Sequence, residues 1–188
     1  MRKLIGVTVL AAIALSLPIV ANGQRRATSA GMGGAEHELG VDIGVAYTKP
    51  SNVSGGITIQ TPFDVRFGFV PSRGNMMWEP RVTLNFSTVG GTTTYLFTPD
   101  VNVLISNSPG GHRRGMYFTG GGGLVMGDLG RGTGTALELN GGIGWRKPYG
   151  SAAWRYQVGV QWVSSSTNLA PFADYFAIGG SIGISLWH

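Results

Sequence analysis

At 188 residues the chain has the length of one domain, enough for a barrel of about eight strands. It holds 32 glycines, 12% charged residues and no cysteine, which excludes a disulfide scaffold, a zinc-thiolate site and a cysteine-linked lipid anchor. The formal charge of +5 comes partly from Arg2 and Lys3; without them 12 basic side chains stand against 9 acidic ones, and the arginines are scattered rather than gathered into a nucleic-acid-binding patch.

Taken in chain order, the first element is an apolar run from Leu4 to Val20, preceded by Arg2 and Lys3, interrupted by Pro18 and followed by the small residues Ala21 and Gly23. This layout predicts a secretory signal peptide over residues 1–23, cleaved after Gly23 or Ala21. A flexible polar leader is expected over 24–35 and a barrel domain over 36–188.

From there the sequence alternates with period two. Leu39, Val41, Ile43, Val45 and Tyr47 share one parity, and Glu38, Gly40, Asp42, Gly44 and Ala46 the other. Successive strand side chains point to opposite faces, so the pattern predicts a strand with one bulky apolar face and one small or charged face. Alternation and turn chemistry place strands at Glu36–Tyr47, Ile57–Val70, Met76–Thr88, Thr94–Ile105, Met116–Met126, Thr135–Arg146, Ala153–Val163 and Asp174–Trp187. Pro71–Asn75, Ser106–Gly115 and Lys147–Ser151 are expected as turns at one end. Short outer loops with few recognition-grade residues are expected at Thr48–Gly56, Val89–Thr93, Gly127–Gly134 and Ser164–Pro171. Pro62, Pro80 and Pro99 fall inside these strands and call for bulges, since a closed barrel has no edge on which a missing donor is harmless.

A soluble barrel packs its bulky face inward and shows charge to water. Here the small face carries the charges, which suits a narrow polar interior, and the bulky face then meets lipid. The prediction is an all-β fold: an eight-stranded antiparallel up-and-down transmembrane β-barrel, whose closure satisfies every strand's backbone in a medium without water. Tyr47, Tyr95, Trp162 and Phe176 near one set of strand ends, and Phe69, Trp78, Trp145 and Trp154 near the other, read as two aromatic girdles. The expected lumen charge network is Glu38, Asp42, Asp64, Arg66, Glu79, Arg81, Asp100, Glu138, Arg146 and Arg155. Eight strands enclose little more than their own side chains, so these ions must be paired or hydrated.

The domain resembles the small bacterial outer-membrane barrels of the OmpA transmembrane-domain and OmpX type. Its last strand is similar to their carboxy-terminal assembly signal, with Ser181, Gly183, Leu186 and His188 at the patterned positions; it departs where His188 replaces the expected aromatic, and Trp187 is the alternative terminal aromatic. The resemblance implies residence in the outer membrane of a Gram-negative bacterium, contact with its lipid bilayer and assembly machinery, a monomeric state, and a structural or interaction role with a narrow, mostly plugged, porin-like passive pore. No cofactor, metal or nucleic-acid partner is expected. His37, His112 and His188 are too far apart in sequence to suggest a metal site, and none follows the His-x-Ser-Asn order of barrel lipid deacylases. The glycines at 120–123 lack the lysine of a phosphate-binding loop. No serine comes within reach of a base on this reading, and no catalytic residue is expected. The competing readings are an outer-membrane barrel enzyme acting on lipid and a soluble lipocalin-like barrel binding an apolar ligand. His112, Arg113 and Arg114 are expected on a solvated turn.

Overall fold

The computed structural model describes residues 36–51, 54–71, 74–89, 92–107, 111–128, 132–169 and 174–188. The expected signal peptide and leader lie outside these residues. Eight strands occur among the described residues: β1 (Glu36–Pro50), β2 (Gly56–Val70), β3 (Met76–Val89), β4 (Thr92–Ser106), β5 (Gly115–Asp128), β6 (Thr133–Tyr149), β7 (Ala152–Val163) and β8 (Tyr175–Trp187). Each pairs antiparallel with the next, and β1 pairs with β8 from Glu38↔Trp187 to Pro50↔Tyr175, closing the barrel. The expected all-β, eight-stranded, antiparallel up-and-down architecture is therefore the observed one. The chain termini of the barrel lie at one end, termed terminal here; the opposite end is distal.

Most strands run longer than alternation alone indicates. β6 continues through Lys147↔Trp154, Pro148↔Ala153 and Tyr149↔Ala152, so the expected turn at Lys147–Ser151 contracts to Gly150 and Ser151. Gly150 has φ of +61°, the left-handed conformation that glycine adopts without steric cost. Pairing overrides local turn propensity at these ends because every residue added to a ladder gives its backbone groups hydrogen-bond partners.

The prolines behave differently from one another. Between Asp42↔Asp64 and Gly44↔Gln60 the register shifts, leaving extra residues in the segment of β2 that holds Pro62, which is a bulge. Pro80↔Val101 and Pro99↔Val82 instead sit in unbroken β3–β4 register. Their other sides face interruptions: β2–β3 pairing stops after Arg66↔Arg81 and resumes at Phe69↔Trp78, and β4–β5 pairing skips from Phe97↔Met126 to Asp100↔Gly123. A missing N–H is tolerated where the ladder already breaks, so only Pro62 needs the bulge expected for all three.

The bulky face is outside. Val41, Ile43, Val45, Leu124, Leu137, Leu139, Ile143, Val158, Ile178 and Ile182 are exposed around the wall. Tyr47, Tyr95 and Phe176 are exposed toward the distal rim, and Phe69, Trp78, Trp145 and Trp154 toward the terminal rim. His37 stacks between the outward rings of Phe67 and Phe69, with centroids 5.6 and 5.4 Å away.

Inside, the small residues make room for large ones on neighbouring strands. A Cβ at Gly40 would strike the Arg66 guanidinium, one at Gly144 the Tyr117 ring, and one at Gly183 both the Asp42 carboxylate and the Val41 carbonyl. Gly183→Ala is expected to destabilise the barrel by about 1–3 kcal/mol, because backbone and an ion-paired carboxylate must both yield. Gly120→Ala meets only the Asn140 carbonyl at 3.9 Å and should be near neutral. Urea unfolding of the two variants in lipid vesicles compares them; equal midpoints would remove the close-approach argument.

Candidate functional site

The lumen holds two layers of ionisable side chains. The terminal layer begins at Arg66, placed on β2 across from Gly40. Its Nε donates to Asp42 Oδ2 at 2.8 Å, Nη2 donates to Asp42 Oδ1 at 3.0 Å and to Ser185 Oγ at 3.1 Å, and Nη1 donates to Glu38. Arg146 Nη2 donates to the other Glu38 oxygen at 2.5 Å, and its Nη1 to the His112 carbonyl at 2.9 Å. Arg155 binds Glu79 through two nitrogens and gives its Nε to Tyr117 Oη at 2.6 Å; Tyr117 in turn donates to Gln157 at 3.0 Å. Three carboxylates thus face three guanidiniums, all essentially without solvent exposure. Burial of ions at this density is tolerable only because each charge is paired and hydrogen-bonded.

The layer is closed below by aromatic rings. Arg146 Cζ lies 4.8 Å from the Tyr117 ring centroid and 5.3 Å from that of Trp187, and Arg113 lies 5.6 Å over the same indole. Such contacts add cation–π attraction where water is excluded. Trp187 is therefore an interior residue, 4% exposed and paired across from Glu38, and does not offer the outward terminal aromatic considered for it. The parity of β8 continues through Ser181, Gly183 and Ser185 to Trp187, while Leu186 takes the other parity and His188 beyond the strand is exposed.

The distal layer contains Asp64, Arg81, Asp100 and Glu138. Arg81 donates from Nε and Nη2 to Asp100 Oδ2 at 2.8 and 2.6 Å, and Asn102 supports the other Asp100 oxygen at 2.7 Å. Asp64 and Glu138 stand farther from Arg81, at 3.7 and 3.9 Å. Above this layer lies a cavity of about 590 Å³ that reaches Thr48, Thr94 and Ser166 near the distal rim.

All ten expected lumen residues thus face the interior, divided six and four between the layers. Tyr117, Gln157, Ser185 and Trp187 complete the terminal layer and were absent from that set. Their parity carried the signal, but an uncharged side chain does not announce an ion-pair role.

Two expectations need correction. His112 is buried rather than solvated in its turn, 2% exposed with Nε2 2.9 Å from the Gly74 carbonyl, while Arg113 and Arg114 beside it are exposed as expected. A carbonyl only accepts, so Nε2 carries the hydrogen and Nδ1 accepts from Ser106 Oγ at 3.2 Å. A serine does therefore lie within reach of a histidine. Both groups are buried, and through its two ring nitrogens His112 ties the end of β4 to the turn before β3. Among the described residues no group of three or more His, Asp or Glu is arranged to hold a metal ion.

No family model matches the chain, and no curated protein sequence matches it. Solved structures do share its fold. Ail, the attachment invasion locus protein of Yersinia pestis, superposes with a TM-score of 0.55 at 8% identity, covering 82% of this chain and 99% of Ail. Neisserial surface protein A superposes with a TM-score of 0.54 at 13% identity, covering 81% of this chain and 98% of its own. The fold is that of the small eight-stranded barrels of OmpA and OmpX type.

Proposed function

We propose that the mature chain is a structural or interaction barrel of the outer membrane of a diderm bacterium, its lumen plugged by its own charges, delivered there by a signal peptide over residues 1–23. The observation that carries this is the inversion of polarity: aliphatic side chains cover the outer wall between two aromatic rims, while ions fill the inside. A lipocalin-like binder needs the opposite arrangement. The fold shared with an attachment protein and a surface protein supports an interaction role. On this reading the terminal end faces the periplasm and the distal end faces outward. The lipid bilayer and the assembly machinery that reads the end of β8 are then its partners, and it acts as a monomer.

The test is partition and migration. The mature chain is expected to require detergent or lipid for solubility, to migrate differently on a denaturing gel before and after boiling, and to pass no steady current in a planar bilayer, because buried side chains fill the terminal layer of a lumen only eight strands around. A chain that stays monodisperse in buffer without detergent would overturn the membrane reading, and a steady single-channel current would overturn the plug.

A further inference from the structure

The two lumen layers differ in charge balance. The terminal layer is neutral. Among the described residues of the distal layer, Asp64, Asp100 and Glu138 surround one guanidinium, that of Arg81, which spends its two hydrogen bonds on Asp100. Two carboxylate oxygens consequently have no hydrogen-bond partner: Asp64 Oδ1 and Glu138 Oε2. Glu138 is only 1% exposed, and both side chains line the 590 Å³ cavity. Each is a carboxylate oxygen left without a donor at the cavity wall, although its carboxylate lies within ion-pair distance of Arg81, and a ligand that supplies N–H donors and positive charge satisfies it.

The rest of the cavity restricts what that ligand is. Val125, Ala136, Val163 and Leu169 form a buried apolar cluster, with Leu96 and Tyr175 packed against it, and all six line the same space. A hydrated inorganic cation leaves this wall unused, and the acids lack a metal-holding arrangement. A volume of this size fits a small organic molecule, and an apolar wall with a few converging polar groups is the usual character of such sites.

We propose that the distal half of the lumen binds an organic cation with an apolar body, its ammonium or amidinium head on Asp64 and Glu138 and its body against the Val125, Ala136, Val163 and Leu169 wall. The proposal goes beyond a structural barrel and depends on the lumen alone, so it is tested in detergent micelles independently of membrane location.

The experiment is calorimetric titration of the refolded barrel in nonionic detergent at low salt, with micelle partition subtracted. The probes are 4-phenylbutylammonium, the neutral 4-phenylbutanol and the anionic 4-phenylbutanoate. The ammonium is expected to bind saturably at one per barrel, the alcohol at least about tenfold more weakly, in keeping with the loss of a charged hydrogen bond, and the carboxylate not at all. Glu138→Gln should weaken the ammonium at least about tenfold while the gel shift on boiling persists, and Ala136→Trp, which fills the apolar side, should abolish binding. Should Glu138→Gln lose that gel shift, Asp64→Asn carries the same comparison. Absence of saturable binding, equal affinity for ammonium and alcohol, or equal affinity in the charge-removed variants overturns the proposal. Any of these with detergent dependence and the gel shift intact leaves the outer-membrane reading standing.

Discussion

Arg66→Ala is expected to destabilise the folded barrel by about 3–5 kcal/mol, the cost of leaving buried charge without its partner. The guanidinium bridges Glu38, Asp42 and Ser185, and all three are buried. Alanine leaves Asp42 without its guanidinium and Glu38 with Arg146 alone, above a void where the Arg66 side chain had filled the space opposite Gly40. Water drawn into that void gives a second expected result, a measurable planar-bilayer current. Arg66→Met combined with Asp42→Asn should recover much of the stability, since the acid is neutralised along with its partner. Arg81→Ala should cost less: Arg81 is 17% exposed and borders the cavity, where water can hydrate the acids it leaves. Urea unfolding in lipid vesicles measures all of these, and an Arg66→Ala midpoint equal to that of the parent would dismiss the interior ion network as a determinant of stability.

The second large effect lies outside the barrel. Ile143 is 42% exposed on β6, and Ile143→Arg places a guanidinium in the apolar belt at an expected cost of about 2–4 kcal/mol if the site lies near the bilayer midplane. Asn140, three residues earlier on the same strand, lines the distal cavity and donates to Glu138 at 3.3 Å. Asn140→Arg adds a cation to a layer with excess acid, so its cost should be much smaller. Equal costs in vesicles would mean that the outer wall does not face lipid. The same pair compared in detergent should differ less, because a micelle deforms around a charge more readily than a bilayer.

The class of fold was legible in the sequence because β-strand parity is a local property: two residues of Leu39–Tyr47 suffice to tell inside from outside, and eight repeats of that pattern account for a closed wall. The same parity placed Glu38, Asp42, Arg66, Glu79, Arg146 and Arg155 on one face. Ends of strands were less legible. Tyr149 and Pro50 read locally as turn residues, yet they pair with Ala152 and Tyr175, and a ladder extends as far as a partner is available. Which arginine serves which acid was legible only in part: Arg81 beside Asp64 and Asp100 was within reach of sequence reasoning, and the full set of pairs was not. Arg66 hydrogen-bonds Glu38 and Asp42 and stands 3.7 Å from Glu79, while Arg155 hydrogen-bonds Glu79 from 76 residues away.

What the sequence determined by itself was the two-faced character of each strand, since alternation needs no knowledge of neighbours. Tertiary structure alone decided the separation of the lumen into a neutral, closed terminal layer and an acidic distal layer beneath a cavity. Ion pairing depends on stagger between strands, and one slip of register, such as that near Pro62, moves a charge past every partner it could have had.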